Sequence, residues 1–158
     1  QQLKKLKQRV EHRQQAAKQL TDRICSLEGL TVPVIRQDCT HAYYSYPILL
    51  DTEQLGLRRS LIYDALVAEG VWGLSVGYQN VHLLPMYQQK QAYGSASFPW
   101  SIGKREVSYE KGICPKAEYF HDTNFLAFGL CDLECSLEDV DRISSAFEKV
   151  WYQLDTLR

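Results

Sequence analysis

The side chains of this sequence best suited to touch a ligand are imidazoles and phenols, and they gather in one stretch. His82 lies in Tyr78-Gln-Asn-Val-His82-Leu-Leu-Pro85-Met-Tyr87, where one imidazole and two phenols fall within ten residues. Such groups both donate and accept hydrogen bonds, which suits a sugar hydroxyl or a phosphate oxygen. Residue types alone fit two readings, a packed loop whose polar tips face water and a ligand site, and the first is the commoner arrangement. His41, which opens a tyrosine-rich segment, is a second candidate. The other two of the four histidines, His12 and His121, sit among charged or loop residues with no nucleophile at helical spacing, and both are expected on the surface.

Several chemistries are not indicated. No Gly-x-Ser-x-Gly, Gly-rich phosphate loop or His-Glu-x-x-His occurs, so the nucleophile, nucleotide and zinc-protease motifs are absent. The five cysteines are an odd number in a chain whose polar start has no apolar leader, and they read as free thiols of a reducing cytoplasm. Cys131-x-x-x-Cys135 supplies half of a zinc set and nothing supplies the other half, so no metal is expected. Phe98-Pro99-Trp100 with Lys104-Arg105 fits either an anion grip or a solvated turn over a hydrophobic seam, and Tyr109-x-Lys111-Gly112 reads as a turn.

The elements that must position these residues belong to a chain of ordinary globular composition. With 158 residues, 45% hydrophobic and 23% charged, it has room for one domain and one core. A net charge of −1 argues against a protein that wraps nucleic acid or binds an anionic membrane. No run approaches the roughly 18 apolar residues of a membrane-spanning helix. Leu3, Leu6, Val10, Ala17, Leu20, Ile24 and Leu27 follow helical spacing, so residues 3–27 read as one long helix or two abutting ones. Through Arg23 this helix has seven basic residues against two acids, a basic face that fits a solvated surface better than a nucleic-acid arm.

Gly29 to Thr40 reads as a connection, with Pro33 forcing an extended path. Residues 41–51 form a strand with Tyr44, Tyr46, Ile48 and Leu50 on one face, and Pro47 places it at an edge or a bulge. A helix bearing Leu57, Leu61, Ile62, Ala65 and Leu66 ends at Gly70, and 71–76 is a second strand. Residues 77–113 are long and irregular, which in a compact domain marks a functional or partner-facing segment. Pro115 starts a short helix, 124–130 is a third strand, and Ser136 caps a helix with the stripe Leu137, Val140, Ile143, Phe147, Val150, Leu154. The expected fold class is α+β, with helices packed on a small antiparallel sheet.

Taken in order, His41-Ala-Tyr-x-x-Tyr46, an Arg-led helix ending in Glu69-Gly70-Val71, Tyr78-x-x-x-His82-x-x-Pro85-x-Tyr87, Cys114-Pro115-x-Ala117-Glu118 and a final Leu-Glu-Asp-Val helix resemble one family. They are similar to the C-terminal small domain of the DegT/DnrJ/StrS sugar aminotransferases, pyridoxal-phosphate-dependent enzymes of fold type I. The resemblance spans nearly the whole chain. It implies an enzyme that transfers an amino group, commonly from glutamate, to a keto sugar carried on a nucleoside diphosphate. It also implies a homodimer with active sites near the subunit boundary. The resemblance makes residues 1–28 a linking helix from an N-terminal large domain and 29–158 the small α+β domain. The catalytic lysine and most of the cofactor contacts would belong to that large domain, so no catalytic residue and no bound cofactor are expected in this chain. By position, His82, Tyr78 and Tyr87 would contact the substrate, with His41 a further choice. Gln88 to Gly112 is longer and more aromatic than the family pattern, which would reshape the sugar pocket or a dimer interface.

Residue 1 is Gln, inside what reads as a helix, so the expectation is a fragment, inactive alone. Two other readings stand beside it: a free-standing α+β binding or regulatory module, and a degenerate aminotransferase that keeps the large domain but lacks its lysine.

Overall fold

The stripe at the start of the chain does form one helix. The computed structural model describes residues 2–94, 97–129 and 135–158. A 3₁₀ turn over Gln2–Lys5 leads into α1 (Leu6–Ile24). There follow β1 (Leu30–Thr31), β2 (Tyr46–Leu50), α2 (Thr52–Leu55), α3 (Arg59–Ala68), β3 (Leu74–Ser75), α4 (Pro85–Gln88), α5 (Pro115–Tyr119), β4 (Phe125–Phe128) and α6 (Leu137–Tyr152). The chain divides into two compact units, Gln1–Val76 with Thr123–Arg158, and Gly77–Asp122.

In the first unit the strands form one antiparallel sheet in the order β1-β2-β4-β3. Tyr46 stands opposite Phe128 and Ile48 opposite Leu126. Along β2 the period-two alternation buries Tyr46, Ile48 and Leu50 and leaves Pro47 and Leu49 half-buried. Those side chains share one core with Ile62 and Leu66 of α3, Ile143, Phe147 and Val150 of α6, and Ala17, Leu20 and Ile24 of α1. This is the expected α+β class. Only the C-terminal half of α1 is buried, through Ala16, Ala17, Leu20 and Ile24, while Leu6, and Leu3 in the preceding turn, stand 52% and 83% exposed.

The ends of the helices follow their side chains. After α3, Gly70 adopts φ +88°, its N–H reaches Val67 O at 3.0 Å, and Val71 N–H reaches Leu66 O at 3.0 Å. This is a Schellman motif, in which a left-handed residue satisfies the last carbonyls. At the start of α6, Ser136 Oγ accepts from Asp139 N–H at 3.1 Å and Asp139 returns the bond to Ser136 N–H at 3.0 Å, a full capping box. Arg23 on α1 grips Glu148 on α6 with a two-pronged fork at 2.7 and 2.6 Å.

Four details depart from expectation. Pro47 lies in an inner strand, not an edge: β1 pairs only with Leu49 and Leu50, so no β1 residue is paired with Pro47, which lacks a ladder N–H. Tyr44 precedes β2 and is 66% exposed, so it does not share the face of Tyr46. The fourth strand, β1, lies in the expected connection; two residues carry no readable period. His121 is half-buried rather than exposed, and His12, though exposed, bonds Cys135 O at 2.7 Å. Leu130 and Cys131 lie outside the described residues.

The second unit is built of short turns: a 3₁₀ turn at Val81–Leu83, α4, a Tyr93–Phe98 bridge, a 3₁₀ turn at Trp100–Ile102, and α5. No described residue between 77 and 122 belongs to the core of the first unit. Among the described residues no helix is long and apolar enough to cross a membrane.

Candidate functional site

Two prolines set the frame of the second unit's polar centre. Pro85 opens α4 and Pro115 opens α5, both at first-turn positions where a missing N–H costs no helical bond. His82 rides the 3₁₀ turn before α4, and Glu118 projects from α5. His82 Nε2 lies 2.9 Å from Glu118 Oε1, and the two side chains are only 10% and 8% exposed. Gly112 N–H donates to both carboxylate oxygens at 2.8 Å, and Cys114 N–H donates to Oε1 at 3.1 Å. Gly112 holds φ +105°, a left-handed backbone that a side chain would strain.

Burial pushes the Glu118 carboxyl up, but the bonds from Gly112, Cys114 and His82 outweigh it and hold the group below its usual range. An ionised carboxylate only accepts, so Nε2 of His82 carries the proton of this bond and Nδ1 is the ring nitrogen left for another partner. Gln88 Nε2 donates to His82 O at 2.7 Å and to Tyr109 O, tying the turn's backbone to the next segment.

Around this centre the aromatic residues cluster. Tyr87 packs on Tyr109 at 5.2 Å between ring centroids and edge-on to Trp100 at 6.1 Å, and Trp100 Nε1–H donates to Tyr109 Oη at 3.0 Å. Asp122 accepts from Lys111 at 2.7 Å and pairs with His121 Nδ1 at 3.0 Å, so its carboxyl is held low, first by the lysine bond and then by the histidine. Tyr78 is 81% exposed.

His41 belongs to the other unit. Its Nδ1 accepts from Tyr43 N–H at 2.8 Å, its ring lies 4.3 Å from that of Tyr43, and Gln14 Nε2 donates to its carbonyl at 3.0 Å. Gln14, Lys18, Ile35, Cys39, His41 and Tyr43 line an open cleft of about 470 Å³. Of the four residues singled out from the sequence, then, His82 and Tyr87 fall in one network linked through Gln88, Tyr78 stands on the surface of the same unit, and His41 lies in the other unit. Glu118 and Gln88 carry the geometry of that network and were not singled out for it. The available signal was an acid in the first turn of a proline-started helix just after Gly112.

A pyridoxal phosphate site needs a lysine whose amine becomes neutral in a desolvated pocket. Here every described lysine is exposed except half-buried Lys90, and the bond to Asp122 pushes the Lys111 ammonium up, the opposite of what is required. The residues of this chain do not fit the aldehyde-holding role. Among the described residues no three His, Cys, Asp or Glu side chains are grouped to hold a metal.

The fold is that of a segment of known aminotransferases. An aminotransferase, TlmJ, from Streptoalloteichus hindustanus matches with a TM-score of 0.67 and 21% identity over 98% of this chain and 35% of its own. An aminotransferase from Psychrobacter cryohalolentis matches with 0.68 and 19% identity over 98% of this chain and 37% of its own. The chain belongs to the DegT/DnrJ/EryC1/StrS aminotransferase family, whose model matches residues 1–109. It is 33% identical over 109 residues to the spore coat polysaccharide biosynthesis protein SpsC of Bacillus subtilis. It is also 32% identical over 110 residues to an uncharacterized protein of Methanocaldococcus jannaschii. Each alignment covers 68% of this chain and 28% of the relative's length.

Proposed function

We propose that this chain is the substrate-side, C-terminal part of a pyridoxal-phosphate-dependent aminotransferase that moves an amino group from glutamate to a nucleotide-activated keto sugar. The observation that carries the reading is family membership across residues 1–109, a span that includes His41, Tyr78, His82 and Tyr87. The name of the Bacillus subtilis relative, a polysaccharide biosynthesis protein, supports a sugar as substrate. The cofactor, when bound, supplies an electron sink for the carbanion formed at the substrate; its lysine and most of its contacts are assigned to a large domain N-terminal to this chain. In this proposal residues 1–28 link the domains, 29–158 form the small domain, and the enzyme is a cytoplasmic homodimer. The exposed Leu3 and Leu6 on the linking helix are consistent with packing on the large domain.

The sugar nucleotide is held by His82, Tyr87 and Tyr78. The expected outcome of His82→Ala in the full-length enzyme is a KM for the sugar nucleotide raised more than that for glutamate, because one hydrogen bond to one substrate is removed. Steady-state kinetics against both substrates checks it, and equal effects or none refute it. The broader test is the absorption spectrum of the protein expressed from its native start codon. A yellow band that bleaches with glutamate supports the enzyme; a colourless full-length product moves the reading to a binding module or a degenerate homologue. Turnover of a keto sugar by residues 1–158 alone would show that the assignment of the lysine elsewhere is wrong.

A further inference from the structure

We infer that Glu118 is a positioning residue that presents Nδ1 of His82, and not Nε2, to an oxygen of the sugar nucleotide. The inference rests on the reading that this network meets that substrate.

The restraints on His82 come from two sides. Its Nε2 is held by Glu118 at 2.9 Å, and its carbonyl is held by Gln88 at 2.7 Å, so both the ring and the backbone of the residue are fixed. Glu118 is itself fixed by two backbone N–H groups, Gly112 and Cys114, at 2.8 and 3.1 Å. A buried histidine needs one partner for one nitrogen to be satisfied; here the partner is immobilised by its own donors, which is how a ring is aimed. The imidazole is 10% exposed, so little of it can meet a ligand, and with Nε2 engaged the polar atom left is Nδ1. With the ring proton on Nε2, Nδ1 is an acceptor, so its partner must donate, and the donor the sugar nucleotide offers is a sugar hydroxyl.

The test uses the full-length protein with two probes, UDP-glucose and UDP, by calorimetric titration, together with His82→Gln and Glu118→Gln. A glutamine amide reaches the place of Nε2 and can still donate to Glu118, but puts nothing at Nδ1. His82→Gln is therefore expected to keep the parent's melting temperature while weakening UDP-glucose binding about tenfold, the size of one lost hydrogen bond. Glu118→Gln is expected to weaken it comparably without touching the ligand. UDP binding is expected to be unaffected, because the sugar hydroxyl is missing from it; weakening of UDP to the same extent would mean a phosphate contact, which an accepting Nδ1 cannot make, and overturns the inference. Binding by His82→Gln equal to the parent's overturns the inference and leaves the dyad a structural link. Binding of neither probe by the parent overturns the functional reading and the inference with it. Independently of any variant's folding, ¹⁵N spectra of the histidines in the parent protein are expected to show the Nδ1 resonance of His82 shifting with UDP-glucose while Nε2 stays; the reverse pattern overturns the assignment.

Discussion

Glu118 shows how a single side chain ties burial to charge. Burial works against its carboxylate, yet three donors at hydrogen-bond distance keep the group below its ordinary range. A group whose folded pKa is depressed contributes stability that is present above the ordinary carboxylate range and lost as pH falls through the lowered value. Acidification is therefore expected to free the Gly112 and Cys114 amides, followed as a loss of hydrogen-exchange protection relative to the intrinsic rate at each pH, and Glu118→Gln should abolish that acid dependence. Tyr46 poses the opposite case, a neutral phenol: burial pushes it up to about 12, and its hydroxyl pairs with Thr21 Oγ at 2.6 Å. Tyr46→Phe is expected to cost about 1 kcal/mol in urea unfolding, the net worth of one such bond.

Between elements, a network of charged hydrogen bonds joins α1 to α6. Arg23 presents two parallel donors to Glu148 and a third contact to Asp141 at 3.3 Å, and the bond to Glu148 raises the arginine while lowering the carboxylate. Lysine cannot reproduce that fork. Arg23→Lys is expected to lower stability by about 1 kcal/mol, a figure kept small by partial exposure and screening, with the loss shrinking at high salt. The end of α3 gives a backbone counterpart. Gly70→Ala meets no neighbouring atom, so its expected loss of about 1 kcal/mol comes from the left-handed backbone alone. Urea titration of both variants separates the two causes, since only the arginine variant depends on salt.

At the scale of the molecule, the apolar core is confined to one unit. The described residues of 77–122 contribute nothing to it and are held by polar bonds and a small aromatic cluster. Few buried apolar contacts mean a lower opening free energy. Amides of 80–119 are expected to exchange faster than those of β2 and β4, and limited proteolysis should cut first between 88 and 112. Equal protection throughout would show one cooperative unit instead.

How much of this was legible in the sequence depended on the range of the interaction. The helices α1, α3 and α6 announced themselves through 3.6-residue stripes, and Gly70 and Ser136 through the chemistry of caps, because those signals are carried by residues a few positions apart. The family resemblance was readable for the same reason, from local motifs in order. The inner place of Pro47 was not readable, since it follows from how far β1 extends beside β2. Nor was the pairing of His82 with Glu118, whose positions lie 36 residues apart and which meet only when α5 folds back beside the 3₁₀ turn. The sequence by itself determined the α+β class, the caps at Gly70 and Ser136 and the histidine and tyrosines worth watching. Only the tertiary structure decided which of them share a network, because a buried carboxylate chooses its donors by proximity in space, and proximity in space is not written at any spacing along the chain.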